Sequence, residues 1–482
     1  MRLHRMSSWL VFAGMLLLVA GGTLAHSLAV HLQDRSGPVG LHKLSVNVDL
    51  AADPTGSAGF TLEEADRLER RWGRPVSYFA RTPDAVQSES RSADADILGV
   101  NDSYFRFAHV WLLRGSIFTG RAVDESSRVA LLRADLADRL FASRDVVGKT
   151  VKLMGATFKI IGVYDRPDSL VDRMTENGKP DLLVPISALI DLNPAFRIST
   201  LELEAGEAAE VGGEAEVRSA LEAIGKAPSR YKIVNYAEER LLIGQSPRLL
   251  LCAAGAAALL LCLRLATAGG QRSVRLLRLE LAASDWPDAL RNRRKELAAD
   301  AGFIVLFAAV GTAIWLSIRY RFYIPAEYVP DMLIDGAFYR DKWLDWWQRQ
   351  VNASGYVASP SELLRDRTAM LVGRLTAAGM LIGLPLVWIG SREWAMAGMR
   401  AEARIVRISV YMPIAALLAG LACLAAGVPC AMRLAELFVY ASLFVLLALS
   451  TPPSPVSGKT KSAGTTEAEA GASESGQRMS AT

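Results

Sequence analysis

The sequence predicts an α-helical integral membrane protein of about six transmembrane helices carrying one extracytoplasmic α+β domain. Three observations predict it. Hydrophobic residues make up 51% of the 482 residues and gather in long blocks, where a soluble chain of this length would alternate them with polar residues across two or more domains. Lys and Arg flank those blocks asymmetrically, as they do around membrane spans. Between the first two blocks, the stretch 40–240 mixes strand and helix periods.

A spanning helix needs about 20 mostly apolar residues. Six blocks approach this length: Trp9 to Val30, Leu249 to Ala268, Ala301 to Ile318, Ala369 to Ile389, Ile408 to Pro429 and Ala431 to Ser450. In the first, Thr23-Leu24-Ala25 has the small residues of a signal-peptide cleavage site, but the apolar run continues to Val30, which favours a retained anchor.

Short-loop charges set the orientation. Arg2 and Arg5 precede the first block, Arg272, Arg275, Arg278, Arg291, Arg293, Arg294 and Lys295 follow the second, and Arg392, Arg400, Arg404 and Arg407 follow the fourth. With the N-terminus inside, all three groups lie in the cytoplasm. The chain then divides into an N-terminal anchor (1–31), an extracytoplasmic domain (32–246), a second span (247–268), a cytoplasmic basic segment (269–300), a third span (301–320), an outer loop (321–368), three further spans (369–450) and a tail (451–482). The tail is rich in Ser, Gly, Thr, Ala and Glu and reads as disordered. The outer loop is the weak point of this topology, because its basic residues are matched by acidic ones. The localisation that follows is a multi-pass protein of the cell (inner, cytoplasmic) membrane.

Within the outer domain, Leu44 to Leu50 alternates as a strand, and Leu62 to Arg71 reads as a helix capped by Thr61 with Glu64 three residues on. Val129 to Leu132 is strand-like, and a helix opens at Asp135. Thr150 to Met154 and Phe158 to Tyr164 read as a hairpin turning at Gly155-Ala156. Leu182 to Pro185 is a short strand. Leu201 to Leu203, Ala208 to Ile224 and Tyr231 to Asn235 form a strand–helix–strand return. Gly115 and Gly148 suit turns.

One segment carries a resemblance. Ser103-Tyr104-Phe105 is followed by Trp111-Leu112-Leu113-Arg114-Gly115 and Phe118. Then come Arg128-Val129-Ala130-Leu131-Leu132, Leu136-Ala137, Arg139-Leu140-Phe141, Val147-Gly148-Lys149 and Phe158-Lys159-Ile160-Ile161-Gly162-Val163. In order, spacing and residue type this resembles the periplasmic core domain of the MacB/FtsX family of ABC-transporter permeases. The family also places one span before this domain and the other spans after it. The resemblance covers roughly residues 1–320. It implies a MacB-type periplasmic core fold and a permease-like subunit that works with a separate cytoplasmic ABC ATPase, as a homodimer or as a heterodimer with another permease. It further implies an extracytoplasmic partner and contact with membrane lipids.

By the same resemblance, Arg272, Arg275, Leu276, Leu277, Arg278, Ala282 and Ser284 occupy the segment that docks on the ATPase. Arg275 and Leu281 stand where the family has glycines. Read from its residues alone, the segment is either an amphipathic basic helix along the inner membrane surface or a basic loop that only fixes topology.

Other chemistry is thin. Gly148-Lys149-Thr150 mimics the end of a phosphate-binding loop, but Ser143 stands where that loop needs glycine. No other Walker-like sequence is present, so ATP hydrolysis is assigned to another chain, and no cofactor, catalytic or metal site is expected. Cys252, Cys262, Cys423 and Cys430 lie in or at the edge of apolar blocks and read as small hydrophobes, and the five histidines are scattered. A net charge of +4 argues against nucleic acid as partner. Charges inside spans are costly and often functional. Arg264, Arg374, Arg433 and Glu436 are such charges. Arg264 and Arg433 lie near block ends, where snorkelling accounts for them, and Arg374, five residues into its block, can also snorkel outward. Glu436 has Arg433 three residues before it, a local pairing distance, and the alternative for all four is a role in a transport pathway. Tyr339, Trp343, Trp346 and Trp347 share one helical face in the outer loop and read as an interfacial helix.

Overall fold

A computed structural model describes residues 2–35, 37–49, 57–165, 169–174, 180–206, 209–282, 285–325, 328–330, 335–352 and 360–450. The expected disordered tail lies outside these residues. A long helix α1 (Arg2–Arg35) enters the outer domain. The domain contains β1 (Lys43–Val48), α2 (Leu62–Trp72), β2 (Val76–Gln87), β3 (Ser92–Val100), α3 (Tyr104–Phe107), β4 (Trp111–Gly115), α4 (Gly120–Asp124), β5 (Val129–Arg133) and α5 (Ala134–Phe141). It continues with β6 (Thr150–Leu153), β7 (Ala156–Asp165), α6 (Leu170–Met174), β8 (Leu182–Pro185), α7 (Ile186–Leu192), β9 (Thr200–Glu204), α8 (Ala209–Ala223) and β10 (Tyr231–Asn235). The helical remainder is α9 (Tyr236–Leu281), α10 (Trp286–Ile318), α11 (Gly336–Asn352), α12 (Pro360–Ala378), α13 (Leu384–Met396), α14 (Ala401–Ala425) and α15 (Leu434–Ser450).

Among the described residues, five stretches are long and apolar enough to cross a membrane: Met6–Asp34, Tyr236–Leu281, Trp286–Ile318, Glu362–Met396 and Ala401–Ala425. The sixth expected span is shorter. Arg433 precedes α15, which holds 17 residues, so this helix falls at the lower limit of a spanning length. A π-helical turn at Gly379–Gly383 joins α12 to α13. There α1 approaches closely, because a Cβ on Gly14 would lie 2.8 Å from the Gly383 carbonyl oxygen. Small residues at such crossings let backbones meet and gain dispersion contacts, which bind helices where water offers no hydrophobic drive. Tyr339, Trp343, Trp346 and Trp347 are exposed on α11, with the indoles of Trp343 and Trp347 stacked.

The strands form one sheet in the order β10-β1-β9-β2-β3-β8-β5-β7-β4, with β6 pairing β2 and β7. Pairing is mostly antiparallel, but β3–β8 and β5–β7 are parallel, which fits the α+β expectation. Three cores pack against it, one of them formed by Phe79, Leu98, Tyr104, Phe118 and Leu131 beside α3 and α4. Leu44, Phe60, Leu68, Leu201 and Leu221 pack where α2 and α8 cover one end; Ile97, Leu132, Leu136, Phe158 and Leu189 pack where α5 and α7 cover the other. The expected hairpin is present, but its turn is Met154-Gly155, one residue earlier than read. Both residues have positive φ (48° and 78°), as a two-residue primed turn requires, and Met154 N–H donates to Asp84. Lys149 lies over the Phe141 ring, away from any phosphate-loop arrangement.

Thr61 and Glu64 form a reciprocal capping box, and Lys226 Nζ sits 2.9 Å from Glu64. Burial raises the Glu64 carboxyl, but the bonds from Lys226 and Thr61 outweigh it and hold the group below its ordinary value. Its stabilisation is therefore present above the unfolded-state pKa and is lost as pH falls through the folded one. The difference in stability between the wild-type chain and Glu64→Gln is expected to shrink as pH is lowered below about 4, checked by denaturant titration at several pH values. Gly115 has φ +82°, and a Cβ there would meet the Ile161 carbonyl oxygen at 2.1 Å; Gly148 has φ +92° and open space around it. Gly115→Ala should therefore cost about 3 kcal/mol or more and Gly148→Ala only about 1 kcal/mol, measured by the same titration.

Candidate functional site

The outer domain is joined to the bundle by adjacent strands. Strand β1 follows α1, β10 runs without a break into α9, and the two pair antiparallel from Leu44 opposite Asn235 to Val48 opposite Tyr231. Asn235 is the hinge residue of this join: its side chain accepts from Glu238 N–H, capping α9, and donates to the Ala209 carbonyl at the start of α8. Lys43 opens β1 with only 3% exposure. Its ammonium pairs with Glu202 of β9 at 2.9 Å and lies 5.3 Å from the ring centre of Tyr236, the first residue of α9.

A second layer of charge ties α9 to α12. Arg365 pairs with Glu239 at 2.8 Å and also faces the Tyr236 ring. Glu362 is fully buried and lies 3.4 Å from Lys232 of β10. A third contact comes from α6, where Leu170 N–H donates to the Ala426 carbonyl just past α14. Val171 is buried there in a cluster with Leu41, Val234, Tyr236, Val372 and Val428. Sequence reading missed Lys43, Lys232, Glu239, Glu362 and Arg365. Little in the sequence marks them: only Arg365 stands within a few residues of an apolar block, ahead of Ala369.

At the opposite end of α9 lies the basic segment. It is helical, made of the end of α9 and the start of α10. Helix α9 runs unbroken to Leu281, a length of roughly 70 Å at 1.5 Å per residue. Four residues separate it from α10, and the two helices pack side by side as a hairpin. The hairpin is clamped by Ser273 Oγ donating to Asp300 (2.9 Å) and by Arg293 and Asn292 donating to Glu280 (3.1 and 3.3 Å). Arg272, Arg275, Arg278 and Ala282 are exposed on it, Leu276 and Leu277 are half-buried, and Ser284 lies outside the described residues.

The charges in the spans do not form one cluster. Arg264 borders an apolar groove between α9, α13 and α15, lined by Leu260, Met380, Trp388 and Leu447. Arg374 is exposed on α12. Arg433 and Glu436 border one cavity, joined there by Arg248 and Arg319, which sequence reading passed over. The expected local pairing of Arg433 with Glu436 is absent among the described residues. Arg433 precedes the first turn of α15, so the spacing of a shared helical face does not apply to it.

Residues 11–220 match the MacB-like periplasmic core domain. An uncharacterized ABC transporter permease, YknZ of Bacillus subtilis, is 25% identical over 181 residues, 35% of this chain and 45% of that protein. The macrolide export ATP-binding/permease protein MacB of Sodalis glossinidius is 26% identical over 174 residues, 34% of this chain and 26% of that protein. The chain thus spans less than half the length of these curated relatives. Among solved structures, the periplasmic region of MacB from Actinobacillus actinomycetemcomitans aligns over 41% of this chain and 89% of its own at 17% identity, with a TM-score of 0.34. The extracellular domain of the noncanonic ABC-type transporter YknZ from Gram-positive bacteria aligns over 40% of this chain and 100% of its own at 19% identity, with a TM-score of 0.33. The domain match and the two curated relatives together support a MacB-like periplasmic core domain and a likeness to the MacB/FtsX-like ABC-transporter permeases, in a chain with several helices long and apolar enough to cross a membrane.

Proposed function

We propose that the chain is the permease-like transmembrane subunit of an ABC complex in the inner (cytoplasmic) membrane. A separate cytoplasmic ATPase docks on the α9–α10 hairpin through Arg272, Arg275, Leu276, Leu277, Arg278, Ala282 and Ser284. Its ATP hydrolysis moves the outer domain, for export or for mechanical signalling. The observation that carries this reading is α9 itself. One helix begins at the strand β10 of the outer sheet and ends in an exposed basic hairpin. A displacement applied at Arg275 therefore reaches Tyr236 without crossing a loop, and rigid-body motion of packed helices is the expected physics. The working assembly pairs this permease with a second copy or with another permease, and its outer domain engages an extracytoplasmic partner.

A second reading rests on Arg275 and Leu281, which stand where the family has glycines. In it the docking surface has decayed and the chain is a stand-alone membrane scaffold or sensor. The deciding experiment is affinity capture of the full tagged chain from native membranes in mild detergent. Recovery of an ABC ATPase, lost in Arg275→Glu/Arg278→Glu, is the expected result; failure to recover any ATPase under conditions that preserve known ABC complexes would sink the permease reading in favour of the scaffold.

Transmission also requires the junction to hold. Arg365→Ala strands Glu239 beside the buried Glu362 and is expected to cost about 3 kcal/mol. Arg340→Ala, which removes the exposed pair with Asp341, should cost under about 0.5 kcal/mol. Thermal unfolding of the two purified variants compares them, and equal midpoints would contradict the mechanical role given to the junction.

A further inference from the structure

The outer ends of α9, α10 and α15 enclose a cavity of about 190 Å³. Its wall carries Arg248 from α9, Arg319 just beyond α10, Arg433 just ahead of α15, and Glu436 inside α15. Three cations thus face one anion. None of the three guanidiniums closes an ion pair among the described residues. Arg248 lies against the ring of Tyr320, 4.1 Å from its centre, which leaves its edge donors directed elsewhere. Glu436 is 8% exposed and accepts no hydrogen bond among those described, so it lowers the net charge of the site without quenching a particular arginine. The Ser317 hydroxyl spends its proton on the Ala313 carbonyl, leaving its oxygen toward the cavity as an acceptor only. Ala435, in the first turn of α15, also lines the space, so the partial positive charge of a 17-residue helix adds to that of the arginines.

Arg248 is half-buried and Arg319 and Arg433 are exposed, so the surplus positive charge beside Leu251 and Ile318 is open to an anion entering from outside. Planar guanidiniums donate two parallel hydrogen bonds, a geometry that matches phosphate oxygens. The volume equals about six waters at ~30 Å³ each, room for a phosphate with an ester substituent. We propose that this cavity binds a phosphate group, held by Arg248, Arg319 and Arg433, with Glu436 limiting its affinity. The same chemistry is offered by an anionic phospholipid headgroup and by free phosphate. The proposal does not depend on an ATPase partner.

The test uses the full chain, delipidated in an uncharged detergent. Binding of dihexanoyl-phosphatidylglycerol and of inorganic phosphate is measured by isothermal titration calorimetry. Saturable binding is expected. Arg319→Gln/Arg433→Gln should weaken it at least about tenfold, the scale of lost charge-assisted hydrogen bonds. Glu436→Gln should tighten it, a gain that misfolding cannot produce. Binding of the lipid alone identifies a headgroup site; binding of both identifies a phosphate site open to solvent. Equal affinities in the wild-type chain, the double arginine variant and Glu436→Gln, or no binding of either probe, would overturn the assignment.

Discussion

The β1–β10 ladder is the element on which the rest of the arrangement depends. Five residue pairs join the strand that follows the first span to the strand that becomes the second. Antiparallel neighbours share backbone hydrogen bonds across their whole length, and separating them in a buried setting leaves donors and acceptors unpaired. Helices α1 and α9 therefore cannot move apart at their outer ends without opening the sheet. They can tilt or slide together, carrying the domain with them. A further domain–bundle contact, through α6 and the segment after α14, sets the Leu170 N–H bond to the Ala426 carbonyl in an apolar patch. Apolar contact is non-directional and tolerates sliding better than a strand ladder does. The junction thus combines a fixed tether with a compliant one.

Around the fixed tether the chain buries charge, which hydrophobic residues of equal volume would stabilise as well or better. Lys43, Glu202, Lys232, Glu239, Glu362 and Arg365 all lie within the layer between sheet and spans. Ion pairs differ from apolar contacts in being register-specific: Lys43 satisfies Glu202 only with β1 and β9 in their observed alignment, and Arg365 reaches Glu239 only with α12 seated against the first turn of α9. Such pairs define the relative position of domain and bundle more sharply than they strengthen it.

Much of this was legible in the sequence where the signal is local. Thr61 and Glu64 announce their capping box, and Gly115 and Gly148 stand where φ is positive. The order of motifs from Ser103 to Val163 was enough to read the domain type. Less legible were β2 and β3. Pro83 and the charges Arg81 and Asp84 argue against a strand there. Pro83 is tolerated because β2 is paired at that point only with β3: its other edge binds β9 as far as Phe79 and β6 only at Gln87, leaving a gap where the missing N–H costs nothing. The cavity arginines escaped notice for another reason. Arg248 and Arg319 each sit at the end of a different apolar block, and single positions of that kind are routine flanks; only the packing of α9, α10 and α15 brings them together.

Hydropathy also misplaces the ends of helices in a way that matters for mechanism. It reports where lipid is, not where the backbone stops being helical. The residues after Ala268 are largely Arg, Leu, Val, Ser and Glu, several of them strong helix formers, so nothing in them ends α9 once the apolar run is over. The result is a rod rather than a span with a separate surface helix. Two features modulate its stiffness. Pro247, near the outer end, has no N–H to close the bond to the Ile243 carbonyl. Gly269 and Gly270, where the apolar part gives way to the basic part, each cost about 1 kcal/mol relative to alanine. Between these two points the helix is continuous and packed against α10 and α15. Bending is therefore directed to these two places; on the proposed permease reading they are where force enters and leaves the spans, and the intervening segment passes displacement between them.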